Sequence, residues 1–153
     1  MKKLKTIIGI AFLTLSINSV WAQTEPVDKN GLANGGYDLV SYFSDNKATK
    51  GNDKFSAELM GAKYLFVSEA HQKAFEANPK KYLPQCDGYC AWGVAEKSAK
   101  FSVNPETYKV LNGKLYLFFN GDFNGSPFNT LSEWNKDEKE LLTNLPEKWA
   151  AVK

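Results

Sequence analysis

Arginine is absent from this chain of 153 residues, so all 19 basic side chains are lysines. Arginine is the residue best suited to forked contacts with phosphates and with the edges of bases. The lysines are scattered along the chain rather than clustered in one patch. We therefore expect no nucleic-acid partner for this protein.

Side chains that bind soft metal ions are also scarce. The chain has two cysteines, Cys86 and Cys90, one histidine, His71, and two methionines. A closed structural zinc site takes four ligands, so this count excludes a cysteine-rich zinc site. No glycine-rich phosphate loop follows a strand and opens a helix, and the aspartates lie in separate turns. The sequence leaves the question of enzymatic activity open and favours a protein without one.

The N-terminus has the pattern of a secretory signal peptide over residues 1–22. Three lysines precede an apolar stretch over residues 7–15, and Val20 and Ala22 place compact residues at the −3 and −1 positions of a cleavage site. No second apolar run approaches the length of a membrane span. We predict an exported protein, periplasmic or extracellular, whose mature form is soluble. Cleavage would remove three of the 19 lysines and leave 16 of them against 17 acidic residues.

The rest of the chain suits one domain. Residues 23–35 are polar and rich in glycine, and they predict a flexible leader. Residues 36–153 predict a single domain that ends in a helical extension, which is long enough to bury its own core. The mixture of short strands and short helices predicts an α+β fold with a small antiparallel sheet.

The predicted elements follow from local signals. Ser68 is a suitable N-cap, and Asn112-Gly113 suits the type I′ turn of a hairpin over residues 108–119. Pro146 is predicted to break the C-terminal helix into two pieces. Strands or extended segments are predicted over 37–43, 61–68 and 100–103, with a loop over 44–53. Helices or helical turns are predicted over 69–78, 79–84, 90–97, 104–106 and 130–150.

The two cysteines lie in the stretch YLPQCDGYCAWG, where Asp87-Gly88 lets the backbone turn tightly between them. Two thiolates suit Cu(I), which accepts soft donors and low coordination numbers, and His71 is a candidate third ligand. The same pair suits a thiol redox protein that cycles a Cys86–Cys90 disulfide. In a third interpretation the cysteines are structural, and the aromatic surface around Tyr89 and Trp92 binds a partner or a ligand.

Several segments occur together in an order that resembles one known family. They are GYDLVSYF, an F-x-S strand end followed by AHQKAFEANPKKYLPQ, then GYCAWG, and finally GKLYLFF. Over residues 36–119 the chain resembles the secreted YHS-domain proteins. The resemblance implies a small α+β domain and a metal-binding role, with Cys90 at the cysteine of the family's GYCA motif.

Two further positions can be compared with the pattern of this family. His71 falls in the helix where the family name places a histidine. Cys86 departs from the family's usual PQYGGYCA wording, and it adds either a second soft ligand or a disulfide partner. We therefore predict an exported YHS-like protein that binds a copper ion through Cys86, Cys90 and His71 and works with a metal-handling partner protein. The redox protein and the ligand-binding module are the alternatives.

Overall fold

The computed structural model describes residues 27–153, and their helices and strands are short. The signal peptide predicted over residues 1–22 lies outside the described residues. Two single 3₁₀ turns cover Asn34–Gly36 and Gln85–Gly88. The helices are α1 (Ser41–Ser44), α2 (Glu69–Ala77), α3 (Pro79–Tyr82), α4 (Ala91–Lys97), α5 (Thr130–Trp134) and α6 (Glu138–Val152). The strands are β1 (Asn52–Leu59), β2 (Ala62–Phe66), β3 (Asn104–Leu111), β4 (Lys114–Phe118), β5 (Asn120–Phe123) and β6 (Ser126–Asn129).

The predicted mixture of helices and small antiparallel sheets is confirmed. The six strands form three separate two-stranded antiparallel sheets, β1–β2, β3–β4 and β5–β6. The hairpin predicted over 108–119 is β3–β4, and Asn112 and Gly113 have φ values of 52° and 72°. Both turn residues are therefore left-handed, as a type I′ turn requires. The helix predicted after Ser68 is α2, and the Ser68 side chain accepts a hydrogen bond from the backbone N–H of His71.

Three of the predicted elements are wrong. The strand or extended segment predicted over 37–43 is limited to a bridge between Tyr37 and Lys50, and α1 takes the place of its second half. Asp38 Oδ1 accepts the backbone N–H groups of Val40 and Ser41 and so starts this helix. The strand predicted over 100–103 is irregular, and the helical turn predicted over 104–106 is the start of β3. The β5–β6 hairpin was not predicted, although Asn124 and Gly125 at its turn have φ values of 55° and 81°.

The C-terminal helix does not break where Pro146 predicts. The chain turns over residues 135–137 instead, and α6 runs through the proline. Leu141 and Leu145 before it are buried, and Trp149 after it packs against the same cluster. This packing on both sides outweighs the one backbone hydrogen bond that proline removes.

The end of the segment predicted as a leader is attached to the domain in this structure. The Ala33 N–H donates to the Lys63 carbonyl at 2.9 Å, and Leu32 forms a parallel bridge with the same lysine. Ala33 is only 3% exposed. Residues 32–33 therefore extend the β1–β2 sheet by a short bridge.

Strand β4 lies between two hydrophobic clusters. Leu115 and Leu117 pack into the first cluster with the β1–β2 hairpin and α2, whereas Tyr116 and Phe118 pack into the second with α4, α5 and α6. All four side chains are buried. Successive side chains of a strand point to opposite faces, so one strand joins both clusters into one domain core. Within residues 27–153 there is no helix long and apolar enough to cross a membrane.

Candidate functional site

The cysteine loop is a tight left-handed turn. Cys86 and Asp87 have φ values of 55° and 50°, and Gly88 follows at 92°. The left-handed region is unfavourable for residues with a side chain, so two such residues in succession store strain. Tyr89 then donates its backbone N–H to the Cys86 carbonyl at 2.9 Å, which closes the turn. Cys86 therefore lies within one hydrogen-bonded turn, and Cys90 follows this turn at the N-cap of α4.

Cys86 is a buried thiol. It is 6% exposed and packs in the second cluster. Burial, together with the smaller effect of the nearby charges of Asp87 and Cys90, raises the pKa of Cys86 to about 12. Cys86 therefore keeps its proton at neutral pH, whereas metal binding and nucleophilic attack both use the thiolate.

Cys90 is completely buried at the start of α4. Its sulfur accepts the backbone N–H groups of Gly93 and Phe119, each at 3.4 Å, and lies 3.2 Å from Thr130 Oγ1. Both cysteines are free thiols in this structure. The sulfur of Cys90 thus links α4, the end of β4 and the start of α5, which is a structural role whatever its chemistry.

His71 is engaged elsewhere. Its Nδ1 donates to Asp38 Oδ2 at 2.7 Å, and its side chain is 17% exposed while that of Asp38 is fully buried. The same Asp38 oxygen accepts the backbone N–H of Val67 at 3.0 Å. Nε2 of His71 lies 3.3 Å from Ser44 Oγ. The imidazole therefore connects α2 to the segment that carries α1.

The order of contacts Ser44–His71–Asp38 has the pattern of a hydrolase triad, but its surroundings do not suit catalysis. The Ser44 hydroxyl also donates to the Val40 carbonyl at 3.1 Å, within its own helical turn. Neither Ser44 nor His71 lines any of the three cavities described for residues 27–153. Because the Ser44 hydroxyl donates to its own helical turn and the Asp38 carboxylate also accepts three backbone N–H groups, we assign the contacts to structure.

The predicted metal ligands are therefore only partly brought together. Cys86 and Cys90 share one loop, and Cys90 contributes to the raised pKa of Cys86. Within residues 27–153, no group of three or more histidine, cysteine, aspartate and glutamate side chains is placed to hold a metal ion. His71 is not assembled with the two cysteines, and the donor set that remains fits only a two-coordinate soft ion such as Cu(I).

A cavity of about 710 Å³ lies next to Cys90. Its wall includes Thr130 and Phe119, two of the three residues whose atoms contact the Cys90 sulfur. The cavity has the size of a small-molecule site, and aromatic side chains form much of its wall. The lining residues are Trp92, Lys97, Lys100, Phe101, Ser102, Phe119, Asp122, Phe123, Phe128 and Thr130. We call this space the aromatic cavity.

One wall of the aromatic cavity is formed by α4 and the segment that follows it. Ser98 ends α4 in the left-handed conformation, with φ at 51°, and the chain reverses so that the Phe101 carbonyl accepts the Cys90 N–H at 3.1 Å. Phe101 then lies on Gly93, where an added Cβ would come within 2.6 Å of its ring. The absence of a side chain at Gly93 therefore allows this close approach.

The opposite wall is the β5–β6 hairpin. Phe128 meets the Trp92 ring edge to face, with centroids 5.5 Å apart, and meets Phe123 at 5.9 Å. Phe123 in turn meets Phe119 at 6.5 Å. Phe123 is 53% exposed and is the one large hydrophobic side chain that residues 27–153 leave exposed. Its ring sits at the opening of the cavity, where it is available to a ligand.

The back of the aromatic cavity is held by hydrogen bonds. Thr130 is fully buried, and its N–H and hydroxyl both donate to the Phe119 carbonyl, at 2.9 and 3.0 Å. The Phe119 N–H donates to Thr130 Oγ1 at 3.0 Å. Both backbone groups of Phe119 are thus hydrogen-bonded to Thr130.

Comparison with family models, with curated proteins and with solved structures finds no match to this chain. The resemblance to YHS-domain proteins therefore stays a prediction. Of the five aromatic residues in the cavity wall, Trp92 was named from the sequence, whereas Phe101, Phe119, Phe123 and Phe128 were not. Tyr89, named together with Trp92, does not line the cavity. One available signal was the Asn124-Gly125 turn, which places phenylalanines on both sides of a hairpin.

Proposed function

We propose that this chain is an exported ligand-binding domain of YHS-like fold, and that the aromatic cavity binds a small, largely apolar molecule. The single observation that carries the proposal is the cavity of about 710 Å³ with five aromatic side chains in its wall. A well-formed, mostly apolar cavity with a few polar groups is the default binding site of a protein. The two cysteines are then structural residues behind the cavity.

The geometry favours a flat or extended apolar body. The ring planes of Trp92 and Phe128 meet at 76°, and those of Phe119 and Phe123 also meet at 76°, so the cavity wall combines ring faces with ring edges. Aromatic rings prefer such edge-to-face and offset contacts with one another. A ligand with an aromatic or planar body would extend this pattern and cover the exposed ring of Phe123.

A titration with the neutral fluorescent probe phenylnaphthylamine tests the proposal. We expect saturable binding to the purified protein with a rise in probe fluorescence, because the probe leaves water for an apolar wall. Phe128→Ser removes one face of the cavity and should weaken binding about tenfold, since losing a buried aromatic contact costs one to a few kcal/mol.

The matched control is Phe55→Ser. Phe55 is half-buried on β1 against the first cluster and does not line the aromatic cavity. It should leave the affinity for the probe unchanged. Absence of binding to the unaltered protein, or equal loss in both variants, would contradict the proposal.

Soft-metal binding at Cys86 and Cys90 is the second candidate. Two free thiols in one loop support it, as do the two backbone N–H groups that point at the Cys90 sulfur. Binding Cu(I) there would have to remove the proton of Cys86, whose pKa is raised to about 12. The affinity should therefore rise with pH, because metal binding releases that proton.

Competition between the reduced protein and a Cu(I) chelator tests this candidate. Cys86→Ser and Cys90→Ser should each abolish binding, whereas His71→Gln should leave the affinity unchanged. Binding that survives Cys90→Ser would refute the two-thiol site. For the redox alternative, the reduction potential of the Cys86–Cys90 pair decides: a value below about −300 mV indicates an inert structural disulfide.

A further inference from the structure

The charged side chains around the aromatic cavity indicate which apolar molecule it takes. We infer that the ligand is an organic anion, an aromatic or aliphatic body that carries one carboxylate or sulfonate group, and that Lys100 binds this group. The inference rests on the proposed function, because it assigns the ligand class of the same cavity.

Lys100 is the cation best placed for this role. It lines the aromatic cavity and is exposed. Its ammonium lies 5.1 Å from the centre of the Tyr89 ring and 5.6 Å from that of Trp149 in cation–π contacts, and neither of these two rings lines the aromatic cavity. Among the ion pairs of residues 27–153, none includes Lys100. Its positive charge is therefore not neutralised by a carboxylate.

The other two charged residues of the wall contact neighbouring groups. Lys97 pairs with Glu96 at 3.3 Å and lies over the Trp92 ring at 5.3 Å. Asp122 accepts the backbone N–H of Gly125 at 3.0 Å, so it is used inside the hairpin turn. The wall therefore holds two lysines against one aspartate, and Lys100 is the one without an acidic partner.

A positively charged ligand would fit the aromatic cavity less well. Aromatic walls also attract organic cations, but here both lysines line the same space as the rings. Like charges across a site that partly excludes water repel each other, and an anion is attracted by the same lysines. The aromatic walls take the apolar body and the lysine side takes the anionic group.

Two probes that share one aromatic body separate the charge from the apolar contacts. Phenylnaphthylamine is neutral, and anilinonaphthalenesulfonate is a closely related molecule with a sulfonate group. Lys100→Met should weaken sulfonate binding about two- to fivefold, the range of an exposed ion pair, and leave the neutral probe unchanged. Added salt should weaken only the sulfonate, because salt screens exposed charges.

Lys54→Met is the matched control. Lys54 is exposed on β1, lies 5.3 Å from the centre of the Phe55 ring and does not line the aromatic cavity. It should change the affinity for neither probe. Thermal unfolding of each variant at an unchanged midpoint shows that the fold is intact.

The outcomes distinguish the two claims. If the neutral probe binds, but neither Lys100→Met nor added salt changes the affinity for the sulfonate probe, the inference of an anionic ligand is overturned while the proposed function stands. If Lys100→Met weakens both probes equally, the lysine acts through packing and the inference is again overturned. If neither probe binds, the proposed function fails and the inference fails with it.

Discussion

Substitution of His71 tests whether this residue stabilises the fold rather than binds a metal ion. His71→Ala removes the hydrogen bond from Nδ1 to the buried Asp38 carboxylate, which is 2.7 Å long. A hydrogen bond to a charged group contributes about 1.5–3 kcal/mol. The carboxylate keeps the backbone N–H groups of Val40, Ser41 and Val67, so it is not left as a lone buried charge.

We therefore expect His71→Ala to lower the free energy of unfolding by about 2 kcal/mol. Asp38→Ala should cost more, about 3–5 kcal/mol, because it leaves three backbone donors and the imidazole without their acceptor. Urea unfolding at neutral pH, followed by tryptophan fluorescence, measures both values and shows whether the slope is unchanged. Ser44→Ala is the control, with an expected change under about 0.5 kcal/mol at this exposed site.

The reasoning is refuted if His71→Ala changes the free energy of unfolding by less than about 0.5 kcal/mol. It is also refuted if His71→Ala removes Cu(I) binding from a protein that is still folded. In that case the histidine would leave Asp38 to reach the cysteine loop, and the predicted set of Cys86, Cys90 and His71 would be restored.

Three further variants test the surroundings of the site. Gly93→Ala places a Cβ within 2.6 Å of the Phe101 ring, so it should lower the free energy of unfolding by about 1–3 kcal/mol. It should also weaken phenylnaphthylamine binding, and an unchanged affinity would argue against this cavity wall. Glu138 has its pKa lowered below the usual 4.5, chiefly by the hydrogen bond from Lys109 on β3. Glu138→Gln should therefore cost about 1 kcal/mol at neutral pH, and the difference should vanish as the pH falls through that lowered pKa; a loss that persists in acid would contradict the pairing. In a Cys90→Ser protein, Cys86 should react with iodoacetamide at pH 8 far more slowly in the folded state than in urea. The reason is that the pKa of about 12 leaves little thiolate in the folded protein. Equal rates in the two states would contradict the burial of Cys86.

The elements that sequence predicted correctly have signals within a few residues. Ser68 caps α2 through its own side chain, and Asn112-Gly113 supplies both left-handed residues of the β3–β4 turn. Such signals act through local backbone geometry, so the elements they indicate form independently of contacts with the rest of the fold. The β5–β6 hairpin has the same kind of turn, but it was not predicted because its strands are largely polar and exposed and show no alternation of apolar residues.

The elements that were predicted wrongly depend on partners far along the chain. Asp38 starts α1 because its carboxylate is also fixed by Val67 and His71, about thirty positions away. Propensity favoured a strand there, and these tertiary hydrogen bonds outweigh it. Pro146 stays inside α6 for a similar reason, since the helix is held by its packing on the second cluster.

The candidate site shows the same division. The cysteine loop was visible in the sequence, including the left-handed turn at Asp87-Gly88. The aromatic cavity was not, because its wall is collected from α4, the end of β4 and the β5–β6 hairpin. No spacing of aromatic residues along the chain indicates which of them will face one another. Only the folded arrangement places Phe101 and Phe128 around one space beside Cys90.

The central claim is that the aromatic cavity binds a small, largely apolar molecule, and the most direct measurement is a nuclear Overhauser spectrum of the isotope-labelled protein with unlabelled phenylnaphthylamine. We predict intermolecular contacts from the probe to the ring protons of Trp92, Phe101 and Phe128. Contacts confined to the smaller cavity of about 250 Å³, lined by Leu39 and Tyr64 among others, or no contacts at saturating probe, would contradict it.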